Sequence, residues 1–79
     1  MTPHHSIRLA DAPLGKHVRI SRLRSRPDVS IRLREMGFCE DAIVRCVMKS
    51  HGNIICEILN TRVAMNSRLA GDILVSPFE

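Results

Sequence analysis

The sequence predicts a mainly β fold, a small barrel of about five strands with two or three short helices, on three observations. Several short stretches alternate apolar and polar residues with the period of a strand that has one buried face. Only one longer segment reads as a helix, and it ends abruptly at Met36-Gly37-Phe38. The third is size. With 79 residues there is room for a single core, and with no Trp, no Tyr and only two Phe that core must be aliphatic. A domain this small buries little more than ~60% of its unfolded surface, so a sheet closed on itself is the economical solution. At 44% hydrophobic and 25% charged, the composition is that of a folded domain rather than a disordered one.

Residues 1–6, with His4-His5, read as a flexible N-terminus, and residues 7–77 as the domain. Leu9–Ala12 predicts a single helical turn, followed by a turn at Pro13–Gly15. His17–Leu23 alternates, with Val18 and Ile20 facing one way. Arg24–Asp28 is a polar loop, Asp28 is the expected N-cap, and a helix follows from about Val29 to Met36. Val29, Leu33 and Met36 lie at i, i+4 and i+7 and form its apolar face, which turns Ile31 outward. With Met36 as C-cap, Gly37 takes the left-handed position after it, and Phe38 returns onto Leu33. Leu33, Met36, Gly37 and Phe38 are therefore the structural residues of this segment. Ile43–Lys49 and Ile54–Leu59 flank the turn residues Ser50-His51-Gly52-Asn53 and predict a hairpin. Centred near His51, it sets Cys46 opposite Cys56 and Arg45 near Glu57, with Val44, Cys46 and Met48 sharing the inner face. Val63 and Met65 resume the alternation, Asn66 or Ser67 caps a turn at Arg68–Asp72, and Ile73–Val75 is the last strand, stopped by Pro77.

The chemistry is that of a binding protein rather than an enzyme. The eight carboxylates are scattered over caps and turns, with no pair set for acid–base work. There is no phosphate-binding glycine loop and no G-x-S-x-G nucleophile motif. Cys39 follows a helix C-terminus, whose negative end disfavours a thiolate. Three cysteines make no disulfide framework, and their spacing matches no CxxC metal pattern, so Cys46 and Cys56 read as small apolar fillers, with no metal site and no cofactor. The first residues lack an apolar run after their charges, and no run approaches the ~18 apolar residues of a membrane span. These features predict a reducing, cytoplasmic setting without membrane insertion. The net charge is +4, and six arginines fall between Arg19 and Arg34. Such a patch suits an acidic partner or is simply a solvated face. Nucleic acid fits poorly, because small barrels stack bases on aromatics and only Phe38 and Phe78 are present.

Leu33-x-x-Met36-Gly37-Phe38, then Ile43-Val44, Thr61–Met65 and Ile73–Val75, resembles the FeoA family; Leu9-Ala10-Asp11 with Gly15 resembles its beginning. The resemblance runs from Ile7 to Pro77. It implies an SH3-like barrel that catalyses nothing and acts in ferrous-iron uptake with FeoB, a membrane iron transporter carrying a cytosolic G-protein domain. The same barrel closes iron-dependent repressors of the DtxR type, whose DNA-binding part has no counterpart in this length. Two positions depart from the family pattern: Asp41 and Asn60 stand where glycine is usual. Both are residue types that tolerate a left-handed backbone, so the turns are expected to survive.

The function expected is that of an adaptor docking on the transporter through the outward side of the helix and its preceding loop: Arg24, Arg26, Ile31, Arg32, Arg34 and Glu35. Weak self-association stays open. The alternatives are a free-standing SH3-like interaction module and a metal-responsive barrel using His and Cys. A neighbouring gene for a large membrane G-protein separates the first from the adaptor, and elemental analysis separates the second.

Overall fold

The computed structural model describes residues 6–78. The expectation for the N-terminus thus lies outside the described residues except at Ser6. The order of elements is β1 (Ile7–Arg8), a 3-10 turn (Leu9–Asp11), β2 (His17–Leu23), α1 (Pro27–Glu35), β3 (Ile43–Ser50), β4 (Asn53–Ile58), β5 (Thr61–Asn66), α2 (Ser67–Ala70) and β6 (Ile73–Pro77). The strands form one antiparallel sheet in the order β1-β6-β2-β3-β4-β5, the mainly β architecture the alternation predicts. The strand beyond the expected five is β1, whose two residues are too few to show a period.

Both hairpins turn through two residues with positive φ. His51 and Gly52 stand at +46° and +80°, and Leu59 and Asn60 at +52° and +62°. This geometry matches the twist of the flanking strands. Asn60 and Asp41, at φ +73°, hold the left-handed conformations expected of residues standing in for glycine. Cys46 pairs directly with Cys56 and Arg45 with Glu57, as the sequence predicts. The route to that register differs. The turn is centred between His51 and Gly52, and a bulge at Val47 restores the pairing. An extra residue reverses the alternation beyond it, so Met48 points to solvent with 53% of its surface exposed rather than sharing the inner face of Val44 and Cys46.

The helix begins two residues earlier than predicted. Pro27 occupies its first turn, where a fixed φ and a missing N–H cost nothing, and it holds Arg26 extended at ψ 152° as the N-cap residue. Asp28 is therefore not the cap. It lies inside the first turn, where its charge still suits the helix end. The exit is as expected: Gly37 N–H donates to Arg34 C=O at 3.0 Å and Phe38 N–H to Leu33 C=O at 2.8 Å, with Gly37 at φ +100°. Leu33 and Phe38 are buried against each other's neighbours in the core. Met36 is not an anchor; at the cap the chain turns away and leaves it 45% exposed. Its expected place on the buried side goes instead to Ser30, whose hydroxyl bonds Ser25 Oγ at 2.8 Å.

The core gathers Leu9, Ile20, Phe38, Val44, Ile54, Ile73 and Val75 between the curled faces of the sheet, with both buried cysteines among them. The closure is incomplete as a ladder. Among the described residues no pairing joins β5 to β1; α2 packs against β5, β4 and the 3-10 turn and bridges the two ends. Two sheet edges therefore remain among the described residues, the two-residue β1 and the six-residue β5. No helix among the described residues is long and apolar enough to cross a membrane.

Candidate functional site

The site is built around α1 and the strand edge beside it. The loop before the helix is tied down by Arg24 N–H, which donates to Asp72 C=O at 2.7 Å, and by the Ser25–Ser30 hydroxyl pair. The Gly37 turn fixes the other end. Held at both ends, α1 and the loop before it present Arg24, Arg26, Ile31, Arg32, Arg34 and Glu35 to solvent, all exposed.

These six do not form one uniform face. Arg34 makes a double hydrogen bond to Glu40, at 3.0 and 3.3 Å. That contact raises the Arg34 pKa and holds the Glu40 carboxyl below the usual carboxylate range. Arg26 stands 3.5 Å from Asp28. Arg24, Arg32 and Glu35 make no ion pair among the described residues. Of the six, only Arg32 lines a groove of about 470 Å³ between α1 and β5. Val29, Leu33 and Met36 line it from α1, Asn53 from β4, Ala64, Met65 and Asn66 from β5, and Leu69 from α2. A shallower extension of about 320 Å³ shares Val29, Asn66 and Leu69 and adds Arg26, Arg68 and Asp72. Sequence reasoning missed Ala64, Asn66 and Arg68 as surface of this site. The signal that was available is β5 as the terminal strand: its alternation names an inner and an outer face but says nothing of an open edge.

The other reactive groups are elsewhere. Cys46 and Cys56 are buried with their sulfurs 3.7 Å apart, and Cys46 Sγ also lies 3.7 Å from Leu9 C=O. Contact with Cys46 and burial push the Cys56 thiol up, which keeps it protonated and unreactive. His51 sits exposed in its turn, and Cys39, half-buried, donates to Gly37 C=O at 3.7 Å. Among the described residues no three His, Cys, Asp or Glu side chains gather. A third depression, lined by Pro13, Lys16, His17 and Phe78, lies at the other end of β2, near where Arg19 stacks 5.5 Å above the Phe78 ring.

Comparison with known proteins places this geometry. No curated protein sequence matches the chain. Among solved structures it is similar to an iron uptake regulatory protein (FeoA), with TM-score 0.80 and 23% identity over 90% of this chain and 96% of that one. It is also similar to iron(II) transport protein A from Clostridium thermocellum, with TM-score 0.82 and 25% identity over 91% of this chain and 46% of that one. A manganese-dependent transcriptional repressor shares the fold at TM-score 0.86 and 18% identity, over 99% of this chain but 45% of its own length. The SH3-like barrel is thus common to transport proteins and to part of a larger repressor, and fold alone does not choose between them. The family model does: the FeoA domain matches residues 7–77, and the chain belongs to the FeoA family.

Proposed function

We propose that this chain is a non-catalytic accessory protein of ferrous-iron transport that docks on the cytosolic G-protein domain of a FeoB-type membrane transporter. The observation that carries the reading is the FeoA domain match over residues 7–77. It is supported by the likeness to an iron uptake regulatory protein and to an iron(II) transport protein. In this reading the protein works in the cytoplasm and its docking surface is the cationic side of α1. Arg24 and Arg32, which make no ion pair among the described residues, supply the attraction. Charges at the rim of an interface chiefly steer association and set its salt dependence.

The test is capture of the protein by the immobilised cytosolic domain of the cognate transporter. Arg24→Glu/Arg32→Glu is the informative variant, because reversing Arg34 would also disrupt its pair with Glu40. The expected result is weaker capture and a smaller salt dependence, with an unchanged circular dichroism spectrum. Capture no better than that of an unrelated barrel would sink the docking reading, and equal capture of the variant would move the surface elsewhere.

A further inference from the structure

We propose that the groove between α1 and β5 takes an extended acidic peptide segment, which adds to the sheet as a further strand alongside β5. This deepens the docking reading by naming the kind of segment the surface receives.

β5 pairs with β4 from Ile58↔Thr61 to Asn53↔Asn66 and has no strand on its other side among the described residues. A two-residue turn makes Ile58 and Thr61 a mutually hydrogen-bonded pair, and such pairs alternate along an antiparallel ladder. Arg62 and Ala64 therefore aim their N–H and C=O groups away from β4. Neither residue has another backbone partner among the described residues. A row of open groups like this one is a template for pairing with another chain.

α1 does not lie on the edge; it stands beside it, with Leu33 and Met36 facing Ala64 and Met65 across the groove of about 470 Å³. A strand edge flanked by a helix is the arrangement by which several recognition domains take extended peptides: backbone pairing gives affinity, and pockets select alternate side chains. Here the pockets are apolar and include two methionines, side chains that adapt to varied shapes.

Arg32 lines the groove and Arg68 its extension, and neither makes an ion pair among the described residues. Asp72 is the one acid among the residues lining either depression. A segment alternating acidic and apolar residues places one set over the arginines and the other in the groove.

The probe is a short capped peptide alternating glutamate and valine, with the lysine–valine peptide as control, followed by amide exchange on the full chain. The acidic peptide is expected to bind saturably, more weakly as salt rises, and to protect the Arg62 and Ala64 amides, while Thr61, Val63 and Met65 are already protected by the ladder. Ala64→Pro removes an outward N–H that the fold does not use and is expected to abolish binding. Arg68→Glu, a surface change, is expected to weaken it roughly fivefold to tenfold, and it decides the matter should the proline variant unfold. Absence of saturable binding, equal affinity for the lysine peptide, or protection confined to other strands would overturn the proposal. So would protection of the same amides by a second copy of the protein alone. Transporter capture that survives both variants would sink this groove while leaving docking through Arg24 and Arg32 intact.

Discussion

Gly37 and Leu59 meet at the point where the helix ends and the second hairpin turns. Gly37 is at φ +100°, and a Cβ there would lie 2.8 Å from Leu59 Cδ1. That carbon is the free end of a side chain that is 77% exposed, so it moves aside at little cost. The backbone angle is the real constraint, and Gly37→Ala is expected to cost about 1–2 kcal/mol in denaturant unfolding. Leu59 is the mirror case. It holds φ +52° with a bulky side chain in solvent, a conformation asparagine adopts far more readily. Leu59→Asn is expected to raise stability by about 0.5–1 kcal/mol. The cysteines make a second residue-scale prediction. In the folded protein a thiol reagent should modify Cys39 and spare Cys46 and Cys56, which have no exposed surface. Mass spectrometry should therefore find one label per chain natively and three in denaturant. Native labelling of Cys56 would show that β3 and β4 part readily.

Among the elements, what sequence could reveal depended on whether a local rule acted alone. The alternation in β2 and β4 was legible because each strand has one buried face along most of its length. The Met36-Gly37-Phe38 exit was legible because a single glycine dictates it. In β3 the extra residue at Val47 breaks the period, and the sequence carries no mark of it. At the start of α1 two rules competed, a carboxylate cap and a proline in the first turn, and the proline won because its ring fixes the backbone whatever the side chains offer. The six residues expected on the docking face are exposed, five of them charged and Ile31 turned outward by the helix period, but the groove beside them depends on where β5 lies, which no local pattern encodes. The cap of α2 is the one that a side chain does supply: Asn66 Oδ1 accepts from Leu69 N–H at 2.7 Å. Asn66→Ala is expected to cost about 0.5–2 kcal/mol, read as a lowered unfolding midpoint. A loss confined to β5 and α2 in amide exchange would show that this helix frays alone rather than with the domain.

The molecule is held by apolar side chains from β2 to β6 and from α1, with Phe38 the largest side chain fully enclosed. Total stability for a domain of this length is roughly 4–12 kcal/mol, so each of the small terms above is a visible fraction of it. The arrangement of connections has a kinetic consequence. β3, β4 and β5 follow one another through turns of two residues, whereas β1 finds β6 only after nearly the entire chain has been threaded, with Ile7 opposite Val75. Closing a long loop costs entropy before any contact repays it, so the rate-limiting ensemble should already contain the central meander while the terminal strands are still loose. Conservative truncations should report this directly: Ile54→Val should slow folding, and Val75→Ala should mainly hasten unfolding. The tight turns would then make the middle of the chain the first part to take shape and the meeting of its two ends the last.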